Sequence, residues 1–263
     1  MTAPAAERRS APVDTLRSAL AADLLRARSG WRLPGLLVLA VFLDSLSIVG
    51  NASTQLDKLH GGALDPAELT NSLLRLGFGG LLFATIFGVL LCTTEFRCGS
   101  IARSARVAGG ATRLLLVKII VALVSGALFG LLAAGSALLA TGLVLTSRHA
   151  PVVVNGETWY SAIGVLAVST LGCVWGALLG WLGRAQVATL LAVITWTLLA
   201  EPAVLAAVPS VGRFLPGGAQ TSIYRDFANP HTLATHWGYL LFCGWLALAA
   251  GAAVVSSRRR DLL

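Results

Sequence analysis

LLRLGFGGLLFATIFGVLLC, residues 73–92, runs directly into TTEFRCGSI, residues 93–101. The first stretch holds 20 residues and a single charge, Arg75. At about 1.5 Å per residue it spans a hydrocarbon core of roughly 30 Å as a helix. The second is polar, charged and glycine-containing, and it is followed by another long apolar run. The pair reads as a membrane-spanning helix that surfaces into a short hydrophilic connection.

Working outward, five more apolar runs have a length that fits a spanning helix: Leu33–Val49, Leu114–Thr146, Tyr160–Leu182, Gln186–Val208 and His236–Ser256. The run from Leu114 is too long for one upright crossing, so it tilts or extends into water. Over the 263 residues, 56% are hydrophobic and 12% charged, with a mean hydropathy of +0.78. Soluble domains carry about a quarter charged residues. The fold class is therefore an all-α integral membrane protein with six transmembrane helices.

The net charge of +8 is topogenic on this reading and excludes a nucleic-acid partner. With the N-terminus inside, 15 of the 20 Lys and Arg fall on inner segments. Only Lys58, Arg75, Arg148, Arg213 and Arg225 fall outside. Both termini are then cytoplasmic, which agrees with an even number of spans.

The chain divides accordingly. Residues 1–12 form a polar, disordered tail. Residues 13–30 carry Val13, Leu16, Leu20, Leu24 and Ala27 at three- and four-residue steps, an amphipathic helix lying in the membrane interface. Residues 31–256 are the transmembrane domain, and residues 257–263 a basic cytoplasmic tail. Residues 93–113 form an inner loop. Residues 209–235, rich in Pro and Gly, form an outer loop that re-enters the leaflet.

Few motifs carry chemistry. There is no GxxxxGK[ST] phosphate loop, no HExxH and no metal-ligand spacing of His or Cys, so no metal site and no catalytic residue is expected. Cys92, Cys98, Cys173 and Cys243 form no CxxC pair and read as free thiols. Asp44 and Glu201 lie inside apolar runs, where a carboxylate must be paired, protonated or wet. Two readings stand for them: a polar substrate path, or contact with the outer headgroups and a helix break at Pro202. Gly126 and Gly130, and Gly172, Gly176 and Gly180, recur at four-residue steps. They suit either a dimer seam or close packing within one bundle. In the segment 93–113, Phe96 and Ile101 suit insertion into a partner's groove, with Glu95 and Arg97 forming ion pairs around it. Ser100 suits an N-cap for a short helix. A solvated loop that only fixes topology is the alternative.

At these residues the sequence resembles the ABC-2 type permease family, the membrane subunits of a class of ATP-driven exporters. The resemblance rests on Thr94, Glu95, Phe96, Arg97, Gly99, Ser100 and Ile101, followed by Arg113 and then Lys118 at the head of the third span. The N-terminal amphipathic helix resembles the family's connecting helix, and Leu215-Pro216-Gly217-Gly218-Ala219 its outer re-entrant segment. Ala108-Gly109-Gly110-Ala111 departs from the Pro and Arg that members often show there. The resemblance implies a six-span, type V exporter-like permease in a bacterial plasma membrane. It implies a dimer with a second copy or a paralogous permease, over two copies of a separate ATPase subunit that holds ATP and Mg. No cofactor is expected on this chain. Glu95, Phe96, Arg97, Gly99, Ser100, Ile101, Arg103 and Arg106 would form the coupling helix region. Cargo would be a drug, antibiotic, peptide or lipid-like molecule. The alternatives from the residues alone are a self-sufficient secondary transporter or channel and a membrane-embedded enzyme.

Overall fold

The computed structural model describes residues 12–77, 79–224 and 233–259. The expected tail over residues 1–11, and residues 260–263 of the basic tail, lie outside them, as do Arg225 and His231. Helix α1 (Pro12–Arg28) precedes α2 (Arg32–His60), α3 (Pro66–Leu74), α4 (Gly79–Arg97), α5 (Ile101–Ala108) and α6 (Ala111–Ser147). Then follow α7 (Gly156–Gly183), α8 (Gln186–Thr195), a π-turn (Trp196–Ala200), α9 (Glu201–Ala207), α10 (Pro209–Gly212), α11 (Pro216–Ile223) and α12 (Thr235–Arg259). Six segments are long and apolar enough to cross a membrane, and no strand occurs among the described residues.

Three of the six are interior. More than half of the apolar window of α4, α6 and α7 is buried, against 17% for α2, 11% for α8–α9 and 17% for α12. The outer helices turn large side chains such as Val38, Phe42, Leu191, Leu199 and Leu248 outward. That is the inverse of a soluble protein and suits a lipid solvent.

Glycines bring the inner helices together. A Cβ on Gly176 would collide with the Thr85 carbonyl, and one on Gly88 with the Cys173 carbonyl. A Cβ on Gly172 would stand 2.6 Å from Leu81, and one on Gly180 2.7 Å from the Val89 carbonyl. On α6, Gly126 and Gly130 would meet the backbone of Thr170 and Leu166 at 2.8 Å. Thus one glycine stripe of α7 faces α4, and the glycines of α6 face α7. Of the two readings of these glycines, the contacts seen are packing within one bundle.

Several boundaries differ from the sequence reading. The expected connection between Val49 and Leu73 contains three further turns of α2 and most of α3, because Ile48, Ala52 and Leu56 continue one buried stripe against Leu69 and Leu73. The expected span 73–92 begins in α3, breaks at residues 75–77 and resumes as α4, which carries on through Arg97. The segment 93–113 is consequently not a loop: it comprises the last turn of α4, the whole of α5 and the first residues of α6. Its turns need glycine, since Gly99, Gly109 and Gly110 have φ of 65°, 79° and 129°. The Gly109-Gly110 pair thus lets the chain reverse between α5 and α6. In the fifth span, Glu201 donates its amide to the Trp196 carbonyl five residues back, and Pro202 has no amide to give. Those two facts account for the π-turn there.

Gly176→Ala is expected to lower the stability of the purified chain by about 1–3 kcal/mol through overpacking. Gly135→Ala, where the space beside the Cα is open, should stay within about 0.5 kcal/mol of the parent. Thermal unfolding in detergent compares the two, and equal midpoints would refute close packing at Gly176.

Candidate functional site

The basic end of the bundle holds a lysine that has almost no access to solvent. Lys118 sits in the second turn of α6 between Leu114, Val117 and Val121, and its exposure is 1%. An ammonium so enclosed costs several kcal/mol unless charges and hydrogen bonds surround it. They do. Its Nζ lies 2.6 Å from Glu95 Oε1 in the last turn of α4, and 2.9 and 2.8 Å from Oδ1 and Oδ2 of Asp23 on α1.

A second cation completes the count. Arg26 Nη1 lies 3.3 Å from Glu95 Oε1 and donates at 3.2 Å to the Ser104 hydroxyl of α5. Two carboxylates therefore meet two cations, and the cluster is neutral as a whole. At the start of α2, Arg32 Nη1 donates to Thr94 Oγ1 at 3.0 Å. Burial pushes the Asp23 carboxyl above its ordinary range, while the Lys118 ammonium pulls it back. Four helices, α1, α4, α5 and α6, are joined through this one knot.

The polar segment opening the connection thus has two sides. Its inner side belongs to this chain. Glu95 is buried, Phe96 packs edge-on against Trp181 at 5.7 Å and lies 5.4 Å beneath the Arg184 guanidinium, and Ile101 is 8% exposed. Phe96 and Ile101, expected at a partner's groove, are turned inward. Glu95, expected to pair around that groove, pairs with Lys118. Ser100 stands before α5 without the expected side-chain cap.

Its outer side is basic. α5 buries Ile101, Ser104, Ala105 and Ala108 on one face. The other face exposes Arg103, Arg106 and Val107, and the flanking Arg97, Cys98, Gly99 and Arg113 are exposed as well.

Asp44 and Glu201 share a different task. Asp44 is fully buried, and its Oδ1 accepts the Gly79 amide at 2.7 Å, with the Gly80 amide close behind. Glu201, 6% exposed, accepts the Trp196 indole N–H at 2.7 Å and the Gly217 amide. Gly79–Gly80 begin α4, and Gly217 lies in the first turn of α11. Each acid therefore serves, from another helix, the unsatisfied amides of a helix start. Neither carboxyl is exposed.

Sequence reasoning passed over Asp23, Arg26, Arg32 and Ser104 as site residues, and it treated Lys118 only as part of a resemblance. A signal existed: Asp23 falls on the apolar side of α1, four residues from both Ala19 and Ala27, and Lys118 is the lone charge in a long apolar run. No protein-family model matches this chain, and no curated protein matches it.

Replacing Lys118 by Met leaves two acids facing each other in the interior, and the expected loss of stability is about 3–5 kcal/mol. Arg26→Gln, at a side chain 55% exposed, should cost less than about 1 kcal/mol. Comparable midpoints for the two in thermal unfolding would remove Lys118 from the centre of the knot. Asp44→Ala should cost about 1–2 kcal/mol through the uncapped α4, and Asp44→Asn, which still offers a carbonyl oxygen, distinctly less.

Proposed function

We propose that the chain is the membrane-spanning permease subunit of an ATP-driven exporter of the ABC-2 type, in a bacterial plasma membrane with both termini cytoplasmic. Two copies, or this chain and a paralogue, flank a path for a drug, antibiotic, peptide or lipid-like cargo. ATP and Mg are held by a separate ATPase subunit in two copies. α1 lies in the cytoplasmic interface, and the outer segment of α10 and α11 re-enters the leaflet.

The single observation that carries this reading is the two-sided arrangement at residues 95–106. The outer side offers Arg97, Arg103 and Arg106 to a soluble partner. The inner side is tied through Glu95 to Lys118, and so to the root of α6. A push on α5 reaches the buried lysine through Ser104, Arg26 and Glu95, because moving Glu95 strips Lys118 of a partner. The helices shift as packed bodies, between discrete arrangements. That Asp44 and Glu201 already serve backbone amides leaves them poorly suited to a proton relay, which supports this reading over a secondary transporter.

Charge reversal of the exposed pair, Arg103→Glu with Arg106→Glu, tests it in the full complex without disturbing the core. Co-purified ATPase subunit is expected to fall by about tenfold or more, with the amount of this chain in the membrane unchanged. Vesicles containing this chain alone that still accumulate cargo against a gradient would overturn the proposal.

A further inference from the structure

Between α7 and α8, beside the tight turn that joins them, lies a cavity of about 590 Å³, a size typical of small-molecule sites. Trp175 and Leu179 line it from α7, and Thr189, Val193, Trp196 and Thr197 from α8. No charged side chain lines it. Its polar groups are unspent. A helical threonine in apolar surroundings can return its hydroxyl to the carbonyl four residues back, as Thr85, Thr93, Thr146 and Thr170 do. Thr189 and Thr197 do not. Neither hydroxyl has a partner among the described residues, and neither is sealed in by protein. Thr189 is only 7% exposed, so what remains accessible is what it shows the cavity. Its hydroxyl stands at the narrow end, where a Cβ on Gly183, itself a lining residue, would collide with it. The wide end is aromatic, and its rings are held from outside. The Trp196 indole N–H donates to Glu201 Oε1 at 2.7 Å. Trp175 is backed by Phe242 and Trp245, with ring centroids 6.4 Å away in each case.

We propose that this cavity binds a neutral, rigid, polycyclic molecule with a hydroxyl or carbonyl oxygen at each end. Its rings lie against the two indoles. One oxygen meets the Thr197 hydroxyl, and the other meets that of Thr189, about 12 Å away along α8 at the rise of a helix. An acyl chain fills the same space but leaves both hydroxyls unpaired. A cation finds no carboxylate on the lining. Glu201, behind Trp196, is already spent on the indole and on the Gly217 amide. Water serves Thr189 but not the indole faces. This binding is a property of the chain by itself and stands whether or not an ATPase subunit attaches to it.

The full chain, purified in detergent, is titrated with tritiated estradiol, a rigid fused-ring diol with its oxygens at opposite ends, and scintillation proximity reads binding. Saturable binding is expected. Thr189→Val and Thr197→Val keep the side-chain shape and remove the hydroxyl. Each should weaken binding by about threefold to tenfold, the worth of one hydrogen bond. Their unfolding midpoints without ligand should hold or rise, since neither hydroxyl serves the fold. The same ring system without its hydroxyls should compete at least about tenfold more weakly on the parent chain. That arm needs no substitution, so it decides the matter even where a variant does not fold. Neither tetraphenylphosphonium nor oleate, at a concentration equal to that of estradiol, should displace it. Absence of saturable binding, unaltered affinity in both valine variants, or equal competition by the deoxygenated rings would overturn the proposal. So would displacement by the phosphonium, which would assign the cavity to a lipophilic cation, or by oleate, which would assign it to an acyl chain. A lowered midpoint in both valine variants would return the hydroxyls to the fold and overturn it as well.

Discussion

A positive charge enclosed in an apolar bundle must be neutralised from within, and Lys118 is where that requirement bears hardest. Its Nζ draws one acid from α1 and one from α4 to within 2.9 Å. The position of α1 follows in part from this, since Asp23 joins Ala19, Leu20, Leu24 and Ala27 in holding the helix against the core. The position of α5 follows too. Arg26, held by Glu95, reaches on to Ser104 and pins the short helix from below. Without the knot, the connection between the second and third spans would be the solvated loop that its charges alone suggest.

The same constraint recurs for the backbone. Hydrocarbon offers no donors or acceptors, so a helix that begins inside the membrane needs its first amides served by protein. α4 begins after the break at residues 75–77, and α11 begins at Pro216, each with first amides that need a partner. A carboxylate from another span answers both, Asp44 in one case and Glu201 in the other. Close approach is part of the arrangement. An ideal Cβ on Gly79 would lie 2.6 Å from Asp44 Oδ1, and one on Gly217 would collide with Glu201. Each acid and its glycine form a unit in which neither member is freely exchanged.

Much of this was legible in the chain itself. Length and apolar composition point to six spanning segments, because the thickness of hydrocarbon leaves a helix little choice of length. The four-residue glycine spacing announces close helix packing, although not which helix lies opposite. The breaks were harder. Around Leu73–Gly80 only Arg75 and the glycines hint at an interruption, and the cap that permits it is 35 residues away, on Asp44. The candidate site was half visible. The stretch from Thr94 to Ile101 stands out by composition, but which of its residues face inward depends on Asp23 and Lys118, far off in sequence. Phe96 illustrates the difficulty: exposed aromatics and aromatics docked on a neighbour such as Trp181 look alike in a one-dimensional pattern.

The longest unbroken helix among the described residues is α6. α6 runs for 37 residues, about 55 Å end to end at the rise of an α-helix. The second span is interrupted at residues 75–77 and the fifth passes through a π-turn, whereas α6 is one uninterrupted helix. A swing of about ten degrees about its midpoint would carry the Ala111 end about 5 Å in one direction and the Ser147 end equally far in the other. Lys118 grips this beam close to one tip, so the two faces of the membrane are joined as the ends of a see-saw are.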